Sequence, residues 1–160
     1  MGSAQFDIGC GYTAPPAHAF APEGQAPVRV VATDVAVALL TKLSELHGGL
    51  MIHQSGGCCD GSAPMCYLAG EYRVGQRDVL VGEISLPNPL PAVRVWINGD
   101  QFELWKHTQL ILDVVKGRGA GFSLEAPEGV RFLSRSRAFS DTENALLAAS
   151  PPLTGASVAG

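Results

Sequence analysis

The chain has 160 residues, a length that suits one domain of ordinary size and is short for two. Apolar residues make up 46% of it and charged residues 16%, which supplies a core and excludes disorder along the whole chain. The formal charge is −4, whereas a nucleic-acid-binding protein is expected to carry a basic excess. No apolar run is long enough for a transmembrane helix, and no secretory signal pattern opens the chain, so we expect a cytoplasmic protein.

Proline and small residues divide the chain into three parts. Residues 1–27 contain four prolines among alanine and glycine, and the stretch 141–160 carries a Pro-Pro pair followed by small residues. Such segments bury little apolar surface. We therefore predict a flexible N-terminal arm over 1–27, a single domain over 28–140 and a flexible C-terminal tail over 141–160, with about one helical turn near the start of the tail.

The first predicted elements of the domain are a short strand over 28–32 and an amphipathic helix. Thr33 suits the N-cap, because its hydroxyl can accept a hydrogen bond from the first turn. From Val35 to Leu46, apolar residues recur at intervals of four, four and three, which is helical spacing. The Gly48-Gly49 pair ends the helix, since glycine readily adopts the left-handed conformation of a C-cap.

The rest of the domain is predicted to be strands. Asn98-Gly99 favours a type I′ turn, which predicts a hairpin between strands over 93–97 and 101–105. One helix and about seven short strands predict an α+β domain with a mostly antiparallel β-sheet or sandwich. The other strand-like segments are 50–54, 65–72, 78–85, 110–115, 122–125 and 130–134.

The candidate site is a glycine-rich loop with cysteines. Cys58, Cys59 and Cys66 fall within nine residues, and thiolates are soft ligands for zinc, iron, Cu(I) or iron–sulfur clusters. His53 and Asp60 stand close enough in sequence to complete the ligand shell. The spacing matches no standard zinc finger, but the glycines allow the backbone to fold tightly around an ion. The pattern therefore predicts a bound metal ion or iron–sulfur cluster, with iron, zinc and copper all compatible.

Two other interpretations of the loop stay open. The adjacent Cys58 and Cys59 could cycle between a dithiol and a strained disulfide, or Cys66 could resolve a sulfenate, and either would make this a thiol redox protein. Alternatively, free cysteines pack as small apolar residues, and the loop would be purely structural in a partner-binding module. Neither a Walker loop nor a G-x-S-x-G elbow is present in the sequence, so a non-enzymatic role is favoured.

The order of elements resembles that of the A-type iron–sulfur carriers, the HesB-like proteins. The likeness covers residues 34–128 and rests on short motifs: Gly57-Cys58, Gly121-Phe122 and Ala126-Pro127 occupy places that match the carrier pattern. This resemblance implies a HesB-like fold and an iron–sulfur role. The carriers have a further Cys-Gly-Cys pair soon after Pro127, where this chain has no cysteine, so Cys59 and Cys66 would have to replace those ligands.

The loop is also similar to that of a family of small uncharacterised bacterial proteins. The segments that carry the likeness are Ser55-Gly-Gly-Cys-Cys-Asp-Gly-Ser and Pro64-Met-Cys. Genes of that family often lie beside NAD-dependent aldehyde dehydrogenases. The resemblance implies an accessory role near alcohol or aldehyde oxidation, with an aldehyde dehydrogenase or another metabolic enzyme as partner.

A homo-oligomer, most simply a dimer, is expected from ligand number. Three cysteines leave a four-coordinate ion one ligand short unless His53, Asp60 or a second subunit contributes. The predicted apolar strand over 110–115 also carries few charges, and a second subunit that covered it would prevent aggregation through an exposed strand. We expect neither a nucleic-acid partner nor a membrane partner.

Overall fold

The structure is a computed structural model that describes residues 19–55, 64–117 and 123–158. The strands in chain order are β1 (Val30–Ala32), β2 (Leu50–Gln54), β3 (Met65–Leu68), β4 (Val79–Ile84), β5 (Val93–Ile97), β6 (Thr108–Lys116), β7 (Val130–Ala138) and β8 (Leu153–Thr154). The α-helices are α1 (Asp34–His47), α2 (Gly99–Trp105), α3 (Asp141–Ala148) and α4 (Gly155–Val158), and a 3-10 helix spans Ala126–Glu128.

Two mixed sheets carry the fold. One has the strand order β1-β6-β7 and the other has the order β3-β2-β5-β4-β8. The pairs β1–β6 and β2–β5 are parallel, and the other neighbouring strands run antiparallel. The predicted α+β class with mostly antiparallel pairing is confirmed, with eight strands in the described residues rather than about seven.

Helix α1 forms as its sequence predicts and joins the two sheets into one core. The Thr33 side chain accepts a hydrogen bond from the Ala36 amide, and Gly48 ends the helix with a φ of 96°. The apolar face of α1 is buried against both sheets, because side chains from each belong to the same cluster. The cluster includes Leu39, Leu40 and Leu43 of the helix, Ile52 and Val95 of the five-stranded sheet, and Leu112 and Phe132 of the three-stranded sheet.

The predicted Asn98-Gly99 hairpin is wrong. Asn98 has φ −55° and ψ 138°, and its side-chain oxygen accepts hydrogen bonds from the amides of Asp100 and Gln101. It therefore acts as the N-cap of α2, so residues 101–105 are helical and not a strand. Asparagine is favoured both in I′ turns and at helix N-caps, and the surrounding structure selects the cap here.

The C-terminal segment contains more structure than one helical turn. Helix α3 has eight residues and begins with a capping box in which Ser140 and Glu143 bond each other's backbone amides. Strand β8 then pairs with β4 and forms one edge of the five-stranded sheet, and the Gly155 amide donates to the Asp78 carbonyl at 2.8 Å. The end of the described chain is thereby attached directly to the strand that begins beside Asp78.

Two further segments differ from their predicted form or lie partly outside the described residues. Residues 123–125 lead into the 3-10 helix instead of forming a strand, and Pro127 stands in the first turn of that helix, where its missing amide hydrogen leaves no bond unmade. Of the predicted N-terminal arm, residues 1–18 are outside the described residues, while the Ala19 carbonyl accepts a hydrogen bond from Gln109 at 2.7 Å. In the described ranges, no helix is long and apolar enough to cross a membrane.

Candidate functional site

His53 occupies the face of the five-stranded sheet that points away from α1. It lies in β2, where it is paired with Met65 of β3 and with Trp96 of β5. Successive side chains of a strand alternate between faces, and the neighbouring Ile52 belongs to the core cluster around α1. His53 is only 3% exposed, so its ring is buried on the outer face of the sheet.

Asp78 fixes the ring of His53. The His53 Nε2 atom lies 3.0 Å from Asp78 Oδ2, which also accepts the amide of Gly75 at 2.8 Å. An ionised carboxylate can only accept, so Nε2 carries the proton and the lone pair of a neutral ring is at Nδ1. Nδ1 lies 3.4 Å from Ser55 Oγ, directly before the cysteine loop begins. This arrangement leaves a potential metal-binding or proton-accepting nitrogen beside Ser55, the last described residue before the cysteine loop.

Tyr72 packs on the histidine ring, and Tyr67 stacks on Tyr72. The ring centroid of Tyr72 is 4.4 Å from that of His53, and the rings of Tyr67 and Tyr72 stack at 4.8 Å. The Tyr67 hydroxyl donates to Met65 Sδ at 3.3 Å. Desolvation is the main cause that raises the pKa of each tyrosine, so both hydroxyls stay protonated near neutral pH. Tyr72 therefore helps to cover the imidazole, which is 3% exposed.

Cys66 lies on the opposite face of the same strand pair. It is paired with Ile52, is fully buried and belongs to the core cluster, whereas His53 is paired with Met65 one position along. The side chains of Cys66 and His53 therefore point to opposite faces of the sheet. The sequence placed both residues in one ligand set, and the structure does not bring these two side chains together.

The surroundings of Cys66 favour the neutral thiol. Its amide donates to Ser123 Oγ at 2.9 Å, and the Ser123 hydroxyl in turn donates to the buried carboxyl group of Glu125. Burial raises the pKa of the Cys66 thiol, and the nearby charge of Glu125 raises it further. Desolvation also raises the pKa of Glu125, partly offset by its hydrogen bonds from Ser123 and from backbone amides. Since the thiolate is the form that binds metals and attacks electrophiles, Cys66 is poorly suited to either role.

The cysteine loop leaves and returns beside His53. Residues 56–63 lie outside the described residues, and with them the predicted ligands Cys58, Cys59 and Asp60. The loop joins β2 to β3, and His53 of β2 is directly paired with Met65 of β3. The residues that flank the loop, Ser55 and Pro64, are therefore within two positions of this pair. Within 19–55, 64–117 and 123–158, no cluster of three or more His, Cys, Asp or Glu side chains could hold a metal ion.

A comparison with protein families identifies the chain. The model of a family described as a domain of unknown function (DUF779) matches residues 39–138. The chain belongs to this family. The matched region runs from the middle of α1 to the end of β7 and includes His53, Asp78 and the cysteine loop. Neither the curated proteins nor the solved structures give a match.

The His53 and Asp78 pair lies within the DUF779 region, and a residue beyond that region holds Asp78 in place. Asp78 and Tyr72 were not identified from the sequence, because an aspartate before a strand and a tyrosine in a loop carry no local signal of a distant histidine. Gly155, beyond the matched region, holds the Asp78 backbone by its hydrogen bond. A histidine positioned by a carboxylate, beside a loop with two thiols, can act chemically as a metal ligand or as a base for a thiol.

Proposed function

We propose that this DUF779 protein is a non-enzymatic metal-binding accessory protein whose ligands are His53 and side chains of the 56–63 loop. The observation that carries the proposal is the bond between His53 Nε2 and Asp78 Oδ2. Metal-binding histidines commonly donate the second ring N–H to a carboxylate, which fixes the ring and increases its basicity. The remaining nitrogen, Nδ1, lies 3.4 Å from the hydroxyl of Ser55, and the segment with Cys58, Cys59 and Asp60 follows that residue in the chain.

The ligand set of the proposed site combines one imidazole with two thiolates and a carboxylate. Such a set suits zinc, iron or copper, and the resemblance to the A-type carriers favours iron or an iron–sulfur cluster. Cys66 is left out of the set because its thiol faces the core and stays protonated. If Asp60 does not bind the ion, a ligand from a second copy would complete four-coordination, which favours a homodimer.

The biological setting of the proposal follows from the loop resemblance. A cytoplasmic accessory protein that holds or delivers a metal would serve an aldehyde dehydrogenase or another enzyme of alcohol and aldehyde oxidation. This part rests on the likeness of the 55–66 segment to proteins whose genes often lie beside such enzymes. Copurification of a tagged copy with an aldehyde dehydrogenase from the native cell is the measurement that checks it.

Metal analysis of anaerobically purified protein tests the proposal. We expect zinc, iron or copper in a fixed ratio to the chain, with visible absorption if a cluster is bound. His53→Ala and Cys58→Ser should each lose the metal while the far-ultraviolet circular dichroism stays that of the wild type, and Cys10→Ser serves as the matched control. A metal-free wild type after anaerobic purification, or full occupancy in both site variants, would overturn the proposal.

A thiol redox function is the second candidate, and the same histidine supports it. The Nδ1 lone pair, which lies beside Ser55, would accept the proton of a Cys58 or Cys59 thiol. Mild peroxide would then convert the two thiols to a disulfide, with the peroxide reduced to two molecules of water. Counting free thiols before and after peroxide separates the candidates, because a loss of two thiols in metal-free protein supports redox chemistry.

A further inference from the structure

A cavity of about 370 Å³ lies on the outer face of the five-stranded sheet, one side chain away from His53. Its wall includes the rings of Trp96 and Tyr72 and the aliphatic side chains of Met51 and Val74. Tyr72 belongs to both places, since its ring also packs on His53 at 4.4 Å. The volume lies in the range of sites that bind small organic molecules, and the wall is mainly apolar and aromatic, as such sites usually are.

Arg94 is the charged side chain that lines this cavity in the described part of the chain. Arg94 stands next to Met51 in the sheet register and projects from the same face as Trp96, two residues along β5. Its Nε atom contacts Glu83 Oε1 at 3.3 Å, and both side chains are about half exposed. An exposed pair of this kind contributes little to stability, so a ligand can compete with Glu83 for the guanidinium. Among the described residues, no acidic side chain belongs to the wall.

We propose that this cavity binds a small aromatic carboxylate. The ring of the ligand packs between Trp96 and Tyr72, because offset and edge-to-face contacts between aromatic rings are favourable. Its carboxylate pairs with Arg94, whose planar fork matches two carboxylate oxygens. The inference does not depend on a bound metal, since His53, the one proposed metal ligand among the described residues, does not line the cavity.

Calorimetric titration of the full-length wild type with naphthoate and with its neutral amide tests the proposal. The two probes have the same ring and differ in charge. We expect naphthoate to bind with an affinity at least about tenfold higher than that of the amide, which is the usual gain from a hydrogen bond to a charged group. The Arg94→Gln variant should bind both probes equally, at the level of the amide.

Three further variants locate the binding. Glu83→Gln removes the competing carboxylate, so it should tighten naphthoate binding while Arg94→Gln weakens it. Ala92→Phe places a ring in the cavity from an exposed position and should abolish binding of both probes. Arg77→Gln is the matched control, since Arg77 is an exposed arginine paired with Asp100 outside the cavity, and its removal should leave the affinity unchanged.

The outcomes are distinguishable from those of the metal proposal. Preferential binding of naphthoate that is lost in Arg94→Gln and Ala92→Phe supports the cavity, whatever the metal content. Equal affinity for the two probes, no binding to folded wild type, or an equal loss in Arg77→Gln would each overturn the proposal. Circular dichroism of every variant confirms that a lost affinity reflects the site and not unfolding.

Discussion

His53 Nε2 lies 3.0 Å from Asp78 Oδ2, although 25 positions separate the two residues in the chain. The contact arises because β2 and β4 pair with opposite sides of β5, and the end of β2 and the start of β4 both lie beside Ile97 at the end of β5. Both side chains are buried, at 3% and 10% exposure, so water does not compete strongly for their hydrogen bond.

The first prediction concerns this pair. Asp78→Asn removes the charge that holds the proton on Nε2, so the orientation and basicity of the His53 ring are lost. We expect metal affinity, measured by competition with a chromophoric chelator, to fall about 10- to 100-fold, the usual effect of changing such a carboxylate. Asp100→Asn, which removes an exposed carboxylate paired with Arg77, is the control and should leave affinity unchanged. Unchanged affinity in folded Asp78→Asn would contradict the proposed role of His53.

The second prediction separates Cys66 from the loop cysteines. Because its thiol is buried and its pKa is raised, we expect alkylation of Cys66 by iodoacetamide only after denaturation, as read by peptide mass mapping. Cys66→Ala should retain metal, whereas Cys58→Ser should not. Rapid labelling of Cys66 in the native protein, or loss of metal from folded Cys66→Ala, would show that its side chain faces the site after all.

The third prediction is a dependence of stability on pH. Glu143 bonds both terminal nitrogens of Arg137 at 3.0 Å and the Ser140 amide at 2.9 Å, and its pKa is lowered to about 2 from 4.5, chiefly by Arg137. A carboxyl group whose pKa is lower in the folded state stabilises the protein at pH values above its unfolded-state pKa. This stabilisation is lost as the pH falls from about 4.5 to about 2.

Glu143→Gln tests that dependence by urea denaturation. At neutral pH it should lower the free energy of unfolding by about 1 kcal/mol, a modest value because the pair is partly exposed. The difference from wild type should shrink as the solution is acidified below about pH 4.5. Glu103→Gln, which removes an exposed partner of Lys106, should have little effect. A difference that stays constant down to acid pH would count against the assigned pair.

The fourth prediction concerns the start of α2. A Cβ atom at Gly99 would lie 2.4 Å from the Arg77 carbonyl oxygen, and backbone cannot yield as a flexible side chain can. Gly99→Ala should therefore lower the free energy of unfolding by about 1–3 kcal/mol. Gly49→Ala is the control, because there the nearest atom, Ala69 Cβ, is 3.6 Å away. Equal free energies of unfolding for the two variants would show that the start of α2 can move away from the Arg77 backbone at little cost.

The sequence by itself determined the features that depend on short-range order. The cap at Thr33, the apolar spacing from Val35 to Leu46 and the glycines after it predicted α1 correctly, because helical hydrogen bonds and caps involve residues within a few positions of one another. The apolar runs predicted β2, β5 and β6, because a short apolar run is likewise a pattern of adjacent residues. The α+β class followed from these elements without knowledge of their pairing.

Only the tertiary structure decided which residues meet. The register of β2 with β3 sends His53 and Cys66 to opposite faces, and a shift of one residue would have reversed that result. Likewise, Asn98 suits a hairpin turn and a helix cap equally well, and the close approach of Gly99 to Arg77 accompanies the cap. Asp78 became the partner of His53 through the strand order β2-β5-β4. Strand order and register depend on the burial of the whole sheet, so no local stretch of sequence contains them.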